Sequence, residues 1–499
     1  MNQDRKFGRV GVVGAGVMGQ GIAQLAASCG LEVVMYDLES KMVETARRNI
    51  EKHLRRLVEK GRLGAEEVTA SLERISSAAD YAGFGDCDVV LEAVVEKIEV
   101  KRLVFRDLEK HVGSGVILAT NTSSLPIASI ARDLSEPGRF AGMHFFNPVP
   151  LMRLVEVIAG PASDPATVER LMALAEHLGR TPVRVEDSPG FLVNLGGRAY
   201  TTEALALLSE SVAEPGDIDA VMRDCWGFRM GPFELMDLTG IDVNYPVTEI
   251  IHRAFGYDPR LRTRPQHALL LEAGRLGRKT GHGFYRYTDR GAEVTATPVE
   301  SGPPPASVSL VDHDATLAAL CRQAGVNILD EDDGTSPVLA APLGVDCSTL
   351  ASERDIDYRR LVAIDRLGDT SKRVTLMTAP GASENALAAT AGLCSRAGRQ
   401  VTAIADSPGF IGQRIVAMVV NLGCEIAQLG LATPQDIDTA MRLGLNYPDG
   451  PLGLGDAIGL AEVHSILQRL QTATGDDRYR PSMWLRRRAQ LGLSATQPA

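Results

Sequence analysis

The chain has no pair of cysteines at metal-ligand or redox spacing. Its seven cysteines, at positions 29, 87, 225, 321, 347, 394 and 424, are scattered. That pattern argues against a zinc site, so no metal is expected, and against a disulfide framework; it suits reduced thiols in a cytoplasmic protein. Long apolar runs are absent too: nothing approaches the roughly 20 residues of a membrane helix, and the opening Met1–Lys6 carries no apolar signal region. Positive charge is not in excess. Lys and Arg number 52 against 63 Asp and Glu, a net charge of −11, which argues against nucleic acid or an anionic membrane as the main partner. A local basic patch can still hold an anionic substrate. The length of 499 residues exceeds one core and predicts about three domains.

What is present begins almost at once. Phe7 to Val13 reads as a short buried strand, and Gly14-Ala15-Gly16-Val17-Met18-Gly19 opens a helix reaching Cys29. In such a GxGxxG turn the first glycine permits the tight turn, the second lets pyrophosphate approach, and the third lets helix and strand pack closely. The helix N-terminus offers free N–H groups and a positive dipole end to the phosphates. Asp37 closes the second strand, where a carboxylate holds both ribose hydroxyls and repels a 2′-phosphate, so NAD is favoured over NADP. Taken alone, the glycine turn is a weak signal that packing explains equally well. The strand before it, the helix after it and the acid on cue make it a dinucleotide site. Further strands at Cys87–Val94 and Val116–Asn121, with strand–helix alternation to about residue 185, predict a doubly wound Rossmann-type α/β sheet. Between Ser40 and Ala79 lies a long, basic helical insertion. His53, Arg56 and Lys60 share one of its faces, either merely solvated or a clamp for a phosphorylated substrate tail.

Chemistry points to a second region. Phe140–Phe146 reads as a strand ended by Asn147-Pro148, and Leu154–Ile158 as the next one. His144 and Glu156 then face each other across neighbouring strands. A carboxylate beside an imidazole fixes its tautomer, which suits a general base for an alcohol. Ser123 and Asn194 are polar groups able to hold a substrate oxygen. Each has a plainer reading as a core histidine or a helix cap.

Together these residues resemble the 3-hydroxyacyl-CoA dehydrogenase family. The matching stretches are Gly14–Gly19, Asn121-Thr122-Ser123-Ser124-Leu125, His144–Pro150, Leu154–Val157, Asp187–Phe191, Met230–Leu235 and Gly277–Gly281, within residues 7–287. The resemblance implies NAD as cofactor and oxidation of a (3S)-3-hydroxyacyl-CoA to the 3-oxoacyl-CoA. It implies His144 as acid/base with Glu156 as its partner, and Ser123, Asn147 and Asn194 around the reacting oxygen. Gly14, Gly16, Val17, Met18, Gly19, Asp37, Glu96, Lys101 and Asn121 would hold the cofactor, with Glu96 and Lys101 at the nicotinamide end. Ser123, His53 and Lys60 would contact the acyl-CoA. The layout resembles the long form of the family, with a duplicated C-terminal domain, that serves bacterial phenylacetate breakdown. This implies 3-hydroxyadipyl-CoA, with 3-hydroxybutyryl-CoA the nearest alternative. Arg198, Arg223 and Arg229 are candidates for a distal carboxylate. A non-catalytic nucleotide-binding scaffold and a bifunctional enzyme are the rival readings.

The chain then repeats. Asp187-Ser188-Pro189-Gly190-Phe191 recurs as Asp406-Ser407-Pro408-Gly409-Phe410, and Gly231-Pro232 as Gly450-Pro451, both at an offset of 219 residues. A repeat that keeps one register is a duplicated domain. Carried upstream, the offset takes His144 to Ala363, Glu156 to Thr375, Ser123 to Pro342 and Asn194 to Gln413, so the second copy keeps a frame without the chemistry. The expected domains are 1–185 (NAD-binding), 186–287 (helical), 310–404 (degenerate Rossmann-like) and 405–499 (second helical). The linker 288–309, rich in proline, serine and glycine, is expected to be extended and mobile. The two helical domains are expected to pair within the chain, and a homo-oligomer remains open.

Overall fold

The computed structural model describes residues 7–289, 291–293 and 296–498. The opening Met1–Lys6, Arg290, Val294 and Thr295 of the linker region, and Ala499 lie outside them. Two compact units emerge, Met1–Leu195 with Gly430–Leu445, and Gly196–Leu429 with Asn446–Ala499.

The first unit is built on eight strands: β1 (Arg9–Val13), β2 (Glu32–Tyr36), β3 (Ile75–Ser77), β4 (Val89–Glu92), β5 (Ile117–Thr120), β6 (Phe140–Phe145), β7 (Leu154–Ala159) and β8 (Thr181–Glu186). They lie in the order β3-β2-β1-β4-β5-β6-β7-β8. Every pairing is parallel except β6 with β7. Central strands such as Val89–Glu92 are buried along their whole length, as a sheet covered on both faces requires. The helix Val17–Ser28 packs Ile22, Ala23 and Ala26 into this core. The basic insertion is not one long helix. It divides into Ser40–Glu59 and Ala65–Glu73, then returns to the sheet as β3. The break falls at Gly61, whose φ of +65° is left-handed, and at Gly64, whose N–H is held by the Glu67 carboxylate at 2.7 Å. The helix Pro434–Leu445, remote in sequence, packs on β7 and β8, and Glu186 N–H donates to Leu431 O at 2.8 Å.

The second unit opens with helices Arg198–Ser209, Pro215–Asp224, Pro232–Thr239, Ile241–Ala254 and Pro265–Glu272. A hairpin of β9 (Arg286–Thr288) and β10 (Gly291–Glu293) follows. Next come β11 (Ser307–Leu310), β12 (Asn327–Ile328), β13 (Val338–Ala340), β14 (Leu361–Ile364), β15 (Arg373–Met377) and β16 (Gln400–Ile404), in the order β12-β11-β13-β14-β15-β16. The helices Ile411–Gln428, Pro451–Ile458, Leu460–Thr474 and Met483–Leu491 complete the unit. Arg198–Ser209 and Ile411–Gln428 pack together around fully buried Glu203 and Arg414. Arg414 Nε donates to Glu203 Oε1 at 2.8 Å, and Tyr479 donates its hydroxyl to the same oxygen at 2.9 Å. In this unit Ala405 N–H donates to Val212 O at 3.0 Å.

The repeated Asp-Ser-Pro-Gly-Phe motif has a local job in both copies. The Asp187 carboxylate accepts N–H groups of Ile127 and Ala128 at the start of a short helix. Asp406 does the same for Cys347 and Ser348.

Two expectations need correction. The linker is not a free tether: it begins in the β9–β10 hairpin, ends in β11, and is fastened between. Gly302 N–H donates to Ala388 O at 2.9 Å, and a side chain on Gly392 would strike Gly302 O. Proline-fixed backbone is fitted to a helix surface there, which composition alone does not reveal. The residue facing Thr375 is Asp365, not Ala363. Ala363 pairs with Met377 and Ile364 with Leu376, and Asp365 N–H donates to Thr375 O at 3.0 Å. The facing residues are 365 and 375 in this copy against 144 and 156 in the first, so the connection here is two residues shorter.

Asp365 is 4% exposed, and burial pushes its carboxyl up to about 6, against lowering by hydrogen bonds from Gln413 and Leu367. Its folded value lies above the roughly 3.9 of an unfolded aspartate. The stability it contributes is therefore full below about pH 4 and lost as pH rises through about 6, on the order of 3 kcal/mol. Asp365→Asn is expected to flatten the fall in stability between pH 4 and 7 and to raise Tm at pH 8, measured by calorimetry. An unchanged pH slope contradicts this.

Candidate active site

At the first strand end, Gly14 has φ +103° and its backbone lies so close to Ala93 that an added Cβ would sit 2.6 Å from Ala93 O. A Cβ on Gly19 would sit 1.9 Å from Gly14 O, so helix and loop touch where only glycine fits. At Gly16 nothing lies within 4 Å, which leaves the approach over the helix N-terminus open. Asp37 Oδ2 accepts Ala15 N–H at 2.8 Å, which fixes the carboxylate beside the loop. Val17, Leu38 and Val95 expose 71%, 87% and 60% of their surface around these strand ends. Such exposed apolar surface beside an open glycine loop and an acid fits a bound dinucleotide. Met18 is half-buried and packs under the loop against the sheet core.

Next along the same strand ends lies a charge network. Lys101 is 1% exposed, with its ammonium 2.7 Å from Glu92 and 3.2 Å from Glu96. Glu92, also buried, accepts the Thr120 hydroxyl at 2.7 Å and Val94 N–H at 2.7 Å. Glu96 Oε1 accepts the Thr122 hydroxyl at 2.6 Å and Ser123 N–H at 2.9 Å. Burial pushes the Glu96 carboxyl up, but the Thr122 bond, the Lys101 charge and the Ser123 N–H outweigh it and leave it lowered. Glu96 thus anchors, as a carboxylate, the loop that carries Ser123. Asn121 sits at the root of this loop and accepts Phe145 N–H at 2.8 Å.

His144 and Glu156 are directly facing residues of antiparallel β6 and β7. His144 Nδ1 lies 2.7 Å from Glu156 Oε2. The other oxygen, Oε1, accepts N–H of Leu192 at 3.1 Å and of Val193 at 2.8 Å. With Glu156 1% exposed and taken as an acceptor on both oxygens, the imidazole must present its Nδ1–H to it, which leaves Nε2 as the free ring nitrogen. Phe146 and Phe191 flank the ring, with centroids 4.4 and 6.0 Å away. Asn194 Nδ2 donates to Ser123 O at 3.3 Å, which ties the residue after the Glu156 anchor to the Glu96 loop.

The structure therefore brings Ser123, Asn194, Glu96 and Lys101 into one network, and His144 with Glu156 into another that Asn194 adjoins. Asn147 lies exposed just past β6. His53 is exposed in the second half of the basic helix, and Lys60 is exposed at its C-terminal end. Two of the three arginines named for a distal carboxylate are engaged: Arg198 with Thr248 at 2.7 Å and Arg223 with Glu234 at 2.6 Å. Arg229 is exposed. Sequence reasoning missed Glu92, Thr120 and Thr122. The signal was there, since Glu92 and Thr120 are the polar residues that end the apolar strands Val89–Glu92 and Ile117–Thr120. Among the described residues no group of three metal-ligating side chains occurs, and no helix is long and apolar enough to cross a membrane.

A doubly wound sheet with this loop and acid is the frame of a dinucleotide-binding protein, and the carboxylate-held histidine beyond it is a group able to move a proton. Known proteins agree. Residues 9–188 match the model of the 3-hydroxyacyl-CoA dehydrogenase NAD binding domain. Residues 190–287 and again 409–497 match that of the 3-hydroxyacyl-CoA dehydrogenase C-terminal domain. The chain belongs to the 3-hydroxyacyl-CoA dehydrogenase family and is an NAD-dependent dehydrogenase. It is 38% identical over 483 residues to 3-hydroxyadipyl-CoA dehydrogenase of Escherichia coli K12, covering 97% of each chain. A probable 3-hydroxybutyryl-CoA dehydrogenase of Deinococcus radiodurans is 42% identical over 279 residues, 56% of this chain and 100% of that one. A crystal structure of 3-hydroxybutyryl-CoA dehydrogenase from Escherichia coli K12 superimposes with a TM-score of 0.88 at 36% identity, covering 98% of this chain and 99% of that one.

Proposed function

We propose that His144 is the acid/base for oxidation of a (3S)-3-hydroxyacyl-CoA. The observation that carries this is the 2.7 Å contact of His144 Nδ1 with Glu156, which points Nε2 away as the proton acceptor. His144 Nε2 takes the proton of the 3-hydroxyl, and the resulting imidazolium is stabilised by Glu156. In the reverse direction protonated His144 returns that proton to the ketone oxygen. Ser123 and Asn194, with Asn147 at the strand end, hold this oxygen. Gly14, Gly16, Val17, Gly19 and Asp37 hold NAD, with Glu96, Lys101 and Asn121 toward its nicotinamide end; when bound, NAD supplies the hydride acceptor. His53 and Lys60 reach the coenzyme A phosphates from an exposed helix.

The substrate we favour is 3-hydroxyadipyl-CoA, in aromatic breakdown. The support is the relative of that name, which matches nearly end to end, rear half included. The shorter 3-hydroxybutyryl-CoA dehydrogenases match 56% of this chain. The alternative, 3-hydroxybutyryl-CoA, is favoured by the name of the crystal structure that matches over 98%.

The second helical region, we infer, supplies within one chain the partner that a homodimer would provide. The support is reciprocity. Glu186 N–H meets Leu431 O in the first unit, and Ala405 N–H meets Val212 O in the second; both donors and both acceptors stand 219 residues apart. Residue i meeting j′ while i′ meets j is the mark of an isologous interface. The domain limits fit this reading: nucleotide domain to about 185, helical copies at 186–287 and 405–499, degenerate sheet between. Seven cysteines without a disulfide suit a cytoplasmic location.

His144→Gln and Glu156→Gln are expected to lower kcat by roughly 10²–10⁴ with NAD affinity, read by fluorescence titration, unchanged. Turnover at the parent rate refutes the assignment. NADH consumption with 3-oxoadipyl-CoA is expected to exceed that with acetoacetyl-CoA, and the opposite order selects the short-chain alternative. Deleting residues 296–499 is expected to give a dimeric or aggregating protein by light scattering; a monomer of full activity contradicts the pairing.

A further inference from the structure

Away from the residues assigned to catalysis, a cavity of about 360 Å³ opens among the helices Ile411–Gln428, Leu460–Thr474 and Met483–Leu491 and the turn Pro259–Leu261. Its charged lining is Arg260, Glu425, His464, Arg480 and Arg486. Arg260 is 2% exposed, an arrangement that costs several kcal/mol unless the charge is met. Asp258 meets part of it at 2.8 Å, and Arg480 O accepts at 3.2 Å. Glu425 stands off at 3.7 Å, and Arg260 Nε has no hydrogen-bond partner. Arg480, itself exposed, lies 3.8 Å from the same Asp258. Among the described residues Arg486 has no carboxylate within ion-pair distance. Arg260 and the exposed Arg480 thus share Asp258, and His464 and the exposed Arg486 line the cavity beside them.

Polar atoms are left open at the same place. His464 Nε2 and Glu425 Oε2 are buried without hydrogen-bond partners, where such atoms ordinarily find one. The nearby helix start does not account for them. Gln428 accepts Trp484 N–H and the Ser482 hydroxyl accepts Leu485 N–H, so the first turn of Met483–Leu491 is already capped. What remains is a set of donors around an excess of positive charge, with one carboxylate oxygen that lacks a donor.

We propose that this cavity binds a phosphate group, free or at the end of a small molecule. Guanidinium groups pair with its oxygens through charge-assisted hydrogen bonds. His464 gives a further polar contact, and the O–H of a hydrogen phosphate supplies the donor that Glu425 lacks. A fully ionised sulfate or a chloride offers no such donor. The volume admits a phosphate monoester of modest size and not an entire coenzyme A. Because the cavity is lined by both Arg260 and the rear helices, its ligand would tighten the packing between the two helical repeats rather than take part in hydride transfer.

The test is isothermal titration and thermal unfolding of the full-length protein with orthophosphate, pyrophosphate, sulfate, adipate and chloride at matched ionic strength. Saturable stabilisation by orthophosphate or pyrophosphate, exceeding that by sulfate and adipate, is the expected result. Preference for orthophosphate marks a free-phosphate site, and preference for pyrophosphate a site for the end of a larger phosphorylated ligand. Arg486→Ala and His464→Gln, both away from the catalytic residues, should each weaken the binding at least tenfold. Glu425→Gln should narrow the gap between phosphate and sulfate. NAD titration serves as the check that each variant is folded. No saturable phosphate effect, a stronger effect of adipate, or binding that both Arg486→Ala and His464→Gln leave unchanged overturns the proposal.

Discussion

The Glu156 carboxylate is the node on which the front half turns. One oxygen faces His144 across the single antiparallel pair of the sheet, and the other receives the backbone N–H groups of Leu192 and Val193. With these donors gathered on one buried carboxylate, each of them is fixed in return. The imidazole is thereby turned to one orientation, and the segment that carries Asn194 is pinned to the sheet.

A second carboxylate plays the matching part on the cofactor side. Glu96 gathers the Thr122 hydroxyl and the Ser123 N–H, and these bonds, Thr122 first, together with the buried Lys101 ammonium hold its carboxyl lowered. Asn194 joins the two systems through Ser123 O. The degenerate copy repeats the joining bond without the reactive groups: Gln413 Nε2 donates to Pro342 O at 3.1 Å, and to Asp365 at 3.0 Å where the first copy has histidine.

Much of this was legible in the chain itself. The glycine loop and Asp37 announce themselves because a dinucleotide demands backbone that only glycine permits and an acid at a fixed reach. His144 and Glu156 could be placed on adjacent strands because each lies in an apolar run bounded by turn residues. The 219-residue repeat was visible wherever a motif anchors both copies. Legibility failed where tertiary fit decides. Asp365 was hidden because strand pairing, not sequence offset, sets which residue faces Thr375. The proline-rich linker is fastened by contacts that composition does not encode. Glu92 and Thr120 went unnoticed because a polar residue at a strand end acquires meaning only when Lys101 is folded against it.

The central claim is that Glu156 holds His144 with Nδ1 protonated and Nε2 free. ¹⁵N NMR of histidine-labelled protein, with His144 assigned by its loss in His144→Gln, reads this directly. The account predicts a neutral His144 with the proton on Nδ1, and a loss of that preference in Glu156→Gln. A proton resting on Nε2 in the parent protein would contradict it, because the nitrogen assigned to take the substrate proton would already be occupied.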